Sequence, residues 1–115
     1  MAPPDPPVRN VSASRLRQLF NESQYPELIR HNLLKREVIK SRPLDAKALL
    51  ETGFPAGTLT ETITYSDSAR KMYYLKIHQY VLPDGTLGGS GMPDPKVIWL
   101  GGIAYCMESP SRAAG

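Results

Sequence analysis

The residue types best suited to chemistry in this chain gather on one short stretch that holds Tyr74, Lys76, His78 and Tyr80. The alternation from Arg70 to Leu82 predicts a strand whose Tyr73, Leu75, Ile77 and Val81 face a core, while Met72, Tyr74, Lys76, His78 and Tyr80 face away from it. Same-side neighbours on a strand lie about 6.5 to 7 Å apart, so Lys76 and His78 can meet one ligand while Tyr74 and Tyr80 flank it. A cation, an imidazole and two phenol rings suit a nucleotide, because rings stack on bases and lysine attracts phosphate. In a metal-independent ribonuclease, His78 would serve as general acid or base near neutral pH, and Lys76 would steady charge developing on the phosphate. Glu61 resembles a partner base in type, yet its alternation places it with Leu59 and Ile63 on the core side. Histidine and tyrosine are also ordinary residues on a solvated strand face.

A glycine-rich stretch supplies a second candidate. Gly88, Gly89 and Gly91 offer backbone N–H groups to an anion, with Ser90 as an added donor and Lys96 as counter-charge. It lacks the Gly-Lys-Ser/Thr ending and following helix of a phosphate-binding loop, so a fixed connector is the simpler expectation. Metal chemistry finds no foothold: His31 and His78 fall on different elements and the chain has one cysteine, Cys106. Neither a metal nor any other cofactor is expected. A lone thiol cannot form an internal disulfide, which favours a reducing compartment. Asp84 and Asp94 are loop carboxylates with no geometry to fix them, and Ser90 lacks a nucleophile-elbow context.

Charge is distributed unevenly. Between Arg9 and Arg42 there are eight basic residues and three acidic ones, a net +5 that leaves −2 for the rest of a chain whose overall charge is +3. Arg15, Arg17, Lys35 and Arg36, on or at the end of predicted helices, therefore form a candidate surface for a phosphate backbone or an acidic protein. An arginine-rich but merely solvated surface would read the same way.

The elements that must position these residues follow from periodicity. The 115-residue chain, 41% hydrophobic, has material for one core. A single domain is expected over 11–108, between a mobile proline-rich tail at 1–10 and a second frayed end at 109–115. Ser12 or Ser14 caps a first helix with Leu16, Leu19 and Phe20 on one face. A second helix starts near Pro26 and runs to Lys35, with 36–40 readable as helix or strand. Asp45 and Gly53 bound a short third helix built on Ala46, Leu49 and Leu50. Alternation then takes over, with strands over 58–65, 70–82, 96–100 and 103–107, the last two joined by a Gly101-Gly102 turn. The expected fold class is α+β, with two or three N-terminal helices packed on a four-stranded, mainly antiparallel sheet. Trp99 is expected in the core. No apolar run reaches membrane length and the opening residues do not resemble a signal, so a cytoplasmic protein without membrane contact is expected.

Lys76-Ile77-His78-Gln79-Tyr80, then Pro83-Asp84-Gly85 and Gly89-Ser90-Gly91-Met92-Pro93-Asp94-Pro95-Lys96, resemble a small domain found in bacterial and phage proteins. The likeness covers about the C-terminal half and implies a phage or mobile-element setting rather than an activity. Helices followed by an antiparallel sheet is also the order in barnase-like toxin ribonucleases, a likeness of architecture alone. Three functions are thus in view. The leading one is a non-enzymatic binding protein that engages nucleic acid or an acidic protein through basic helices. The alternatives are a ribonuclease using His78 and Lys76, and a structural subunit with its sheet edge or the Trp99 region as interface.

Overall fold

The computed structural model describes residues 6–67, 72–89 and 91–108, and in them a mixed sheet of six strands, not four, carries three helices. The chain runs β1 (Val8–Val11), α1 (Ala13–Glu22), α2 (Tyr25–Arg30), β2 (Lys35–Pro43), α3 (Ala46–Thr52), β3 (Leu59–Ser66), β4 (Tyr74–Val81), β5 (Asp94–Leu100) and β6 (Ile103–Met107). Sheet order is β1-β6-β5-β4-β3-β2. From β2 to β6 successive strands pair antiparallel, whereas β1 joins the far edge parallel to β6. The expectation of four strands fails at two places, and each has a physical cause.

Val8 to Asn10 do not belong to a tail. They pair with Ala104, Tyr105 and Cys106 as the first residues of β1, and the Ala104 amide donates to the Pro7 carbonyl. Proline is tolerated at such an edge, where one side of the strand needs no ladder donor.

The second difference lies after α2. The helix stops at Arg30 because Asn32 adopts a left-handed conformation (φ 58°), and the amides of Asn32 and Leu33 turn back to the carbonyls of Ile29 and Leu28. That double closure satisfies the last carbonyls of the helix and redirects the chain. Lys35 consequently lies on a strand rather than a helix, and 36–40 takes the strand form of its two readings, continued by β-branched Val38 and Ile39. A register shift between Val38 and Lys40 bulges this strand.

Elsewhere local chemistry acts as the residue types predict. The Ser12 hydroxyl accepts from the Arg15 amide, the Asp45 carboxylate accepts from the Ala48 amide, and Gly53 ends α3 at φ 76°. Gly101 and Gly102 turn the last hairpin with φ of 57° and 78°, a geometry that would strain side chains with a Cβ.

The chain enters at one edge of the sheet, crosses it through α1 and α2, and re-enters at the opposite edge. Both helices therefore cover the same face. Leu16, Tyr25, Leu34, Ile63, Leu75, Ile77 and Ile98 are buried between helices and sheet. Each such side chain contributes roughly 1.5 to 3 kcal/mol through its removal from water. Tyr25 also ties the layers together. Its hydroxyl accepts from the Tyr74 amide (2.9 Å) and donates to the Trp99 carbonyl (2.7 Å), where β4 and β5 part beyond their last paired residues, Leu75 and Ile98. Burial pushes the Tyr25 phenol up to about 12, so the group stays neutral and can serve in both roles.

Candidate functional site

Strand β4 divides its side chains between a covered and an open side. Leu75 and Ile77 are buried under the helices, while Tyr74, Lys76, His78 and Tyr80 are part-exposed on the opposite face. Directly paired residues in antiparallel strands project to the same face, so the register extends this open surface across the sheet. Lys35, Ser66 and Tyr74 form one row, and Glu37, Thr64, Lys76 and Val97 form the next. Lys40, Thr62, His78 and Asp94 form a third, and Arg42, Thr60 and Tyr80 a fourth. Neighbouring strands stand about 4.8 Å apart, which places the β2 cations about 10 Å from the β4 side chains.

Aromatic rings occupy both ends of the open face. Tyr74 packs on Trp99 with ring centroids 5.3 Å apart, and Tyr80 packs on Phe54 at 5.0 Å. His78 stands edge-on to Tyr80 at 4.7 Å, and its Nε2 lies 2.6 Å from the Thr60 hydroxyl. Burial, helped by the positive charge of Lys96 and opposed by Asp94, holds the imidazole below its ordinary pKa. Burial likewise raises the Tyr74 phenol. The expected core position of Trp99 is thus replaced by a half-buried one on the open face, because Ile98 takes the inward phase of β5.

The sequence-selected cations separate into two groups. On the helices, Arg17 is ion-paired with Asp94 at 3.0 Å and Arg15 donates to Gln18. Arg30 is likewise held by Glu27. On the sheet, Lys35, Lys40, Arg42 and Lys76 form no ion pair among the described residues. Arg36 is paired in register with Tyr65 and so lies on the helix side. Arg15, Arg17, Lys35 and Arg36 therefore do not make one helical surface.

The other candidates are spread over the molecule. Glu61 lies on the helix side between Ser41 and Gln79, hydrogen-bonded to both. Burial alone would raise the Asp94 carboxyl, but the Arg17 hydrogen bond and the charges of Lys96 and Arg17 together hold it below the ordinary value. Lys96 sits 3.5 Å from Asp94 and 3.7 Å from the Met107 sulfur. In the glycine-rich loop the amides of Gly88 and Gly91 are bonded to the carbonyls of Tyr80 and Gly88, which removes two of the donors an anion would need. Gly88 is crowded by Phe54, whose ring would stand 2.9 Å from a Cβ there. Ser90 lies outside the described residues. No group of three metal-ligating side chains occurs among the described residues, and none of their helices is long and apolar enough to cross a membrane.

Residues that the sequence did not place at this site complete the face: Lys40 and Arg42 on β2, Thr60, Thr62 and Ser66 on β3, Phe54, and Trp99, which was expected in the core. The alternating threonines were the available signal for β3. Comparison with protein-family models, with curated proteins and with solved structures finds no match to this chain. Function must therefore be argued from the site itself.

Proposed function

We propose that the open face of the sheet binds single-stranded nucleic acid and that the protein is a binding module rather than an enzyme. The observation that carries this reading is that unpaired cations and part-exposed aromatic rings share the one face that α1 and α2 leave uncovered. Rings that stack on bases beside cations that neutralise phosphates are the two components such binding requires. An acidic protein could also pack on the rings, but only a single strand brings a flat base with every anion, matching rings and cations together. A duplex presents its bases edge-on within grooves and would leave the rings unstacked.

The helix-based version of the reading loses support because Arg17 and Arg30 are already paired. Catalysis by His78 is disfavoured for a similar reason. A ribonuclease needs a second acid or base facing the same phosphate. The carboxylates near His78 in register or sequence, Glu61 and Asp94, are engaged by Ser41 and Gln79 and by Arg17 and Lys96.

The test is the anisotropy of a labelled single-stranded oligonucleotide titrated at several salt concentrations. Four contacting cations predict a slope of about −3 in log affinity against log salt, at about 0.7 per phosphate. Lys40→Gln and Arg42→Gln should each reduce that slope by about 0.7, and Arg15→Gln should leave it unchanged. Binding insensitive to salt, or loss through Arg15→Gln alone, would move the site off the sheet. Cleavage of the oligonucleotide in chelator would restore the ribonuclease alternative.

A further inference from the structure

The open face is ordered in lanes that run along the strands, and each lane has its own chemistry. The outer lane on β2 carries Lys35, Lys40 and Arg42, interrupted by Glu37. The middle lane on β3 is made wholly of hydroxyls: Ser66, Thr64, Thr62 and Thr60. The inner lane on β4 and β5 carries the rings of Tyr74, Trp99, His78 and Tyr80, with Lys76 between Tyr74 and His78 and the Arg17-paired Asp94 opposite His78 in register. Two of the middle hydroxyls are already occupied or covered, since Thr60 bonds His78 and Thr64 is buried. Thr62 and Ser66 are part-exposed, and their side-chain hydroxyls have no hydrogen-bond partner among the described residues.

A nucleotide has the same order across its width, with phosphate, sugar and base in succession. Laid along the strands with its bases on the aromatic lane and its phosphates toward β2, a single strand would put its sugars over the threonines. The geometry points to RNA as the preferred ligand, with Thr62 and Ser66 bonding ribose 2′-hydroxyls. A hydroxyl both donates and accepts, so it can pair with a 2′-OH in either orientation, and deoxyribose offers no such partner. Glu37 fits the same layout, because its carboxylate repels a phosphate at the second row and leaves the first row and the last two rows for phosphate contact. This assignment rests on the proposed nucleic-acid reading and narrows it to one sugar.

The experiment compares oligo-uridine with its deoxyuridine counterpart, which differ only at the 2′ position, on the wild-type chain and on Thr62→Val and Thr62→Ser. Valine keeps the branched shape that suits a strand and removes the hydroxyl, while serine keeps the hydroxyl; thermal unfolding of each variant checks that the sheet is intact. The expected result is a ribose preference of roughly fivefold per engaged hydroxyl, the size of an ordinary net hydrogen bond. It should fall in Thr62→Val with deoxy binding unchanged, and persist in Thr62→Ser. Equal, salt-sensitive binding of both oligomers would overturn the ribose assignment and leave the nucleic-acid reading standing. A ribose preference that survives both Thr62→Val and Ser66→Ala would overturn it as well. Absence of binding to either oligomer would overturn both.

Discussion

At the scale of single residues, Tyr25 and His78 show how one side chain sets conditions for the open face. Tyr25 is fully buried, and its hydroxyl closes the gap between β4 and β5 directly beneath the Tyr74 and Trp99 rings. Tyr25→Phe keeps the packing but strands a backbone amide and a carbonyl, so stability should fall by about 1 to 3 kcal/mol in urea denaturation. His78 makes an opposite-sided prediction about pH. Its folded pKa lies below the ordinary histidine value, so the unfolded chain takes up its proton first as pH falls. Its contribution to stability is full above about pH 6.5 and is lost as pH drops through the folded pKa. Stability measured by unfolding should therefore fall from pH 8 to pH 5, and His78→Gln should flatten part of that decline. A variant with the wild-type pH profile would show that His78 is not the group responsible.

At the scale of elements, the edge strands explain both what the residue pattern revealed and what it hid. The phase of β4 was legible because Leu75 and Ile77 alternate with Lys76 and His78 over enough residues to define two faces. The last hairpin was equally legible, since two adjacent glycines admit the positive φ its turn requires. The end of α2 was not, because its apolar residues continue past Asn32 and only the left-handed turn at that residue breaks the helix. β1 escaped notice because four exposed or half-exposed residues after prolines carry no periodicity of their own and depend on β6 for pairing. The candidate site was half visible. Its inner lane could be read from one strand, but the cation lane arises only when β2 is placed beside β3.

The same β2 is exposed along all nine residues and forms an open edge. Lys35, Arg36, Lys40 and Arg42, together with the bulge and Pro43, are features that discourage another strand from adding there. Replacing Arg36 and Lys40 by valine should promote concentration-dependent association in light scattering. If the variant scatters like the wild type, the charges do not guard this edge.

At the scale of the whole molecule, the arrangement is one of unequal faces. The crossover through α1 and α2 consumes the apolar side of the sheet and leaves the other side to solvent with its cations unpaired. A net charge of only +3 is small for nucleic-acid binding, so affinity must come from where the charges stand and from stacking rather than from a general basic field. The chain contains a single tryptophan, Trp99, and it lies on this face against Tyr74. Its emission, followed while oligo-uridine is added, reports directly on whether a base reaches the aromatic lane. Saturable quenching is expected, reversed by added salt and absent in Tyr74→Ala and in Lys40→Gln combined with Arg42→Gln. Emission that stays constant while a labelled oligonucleotide binds, or no binding at low salt, would contradict it.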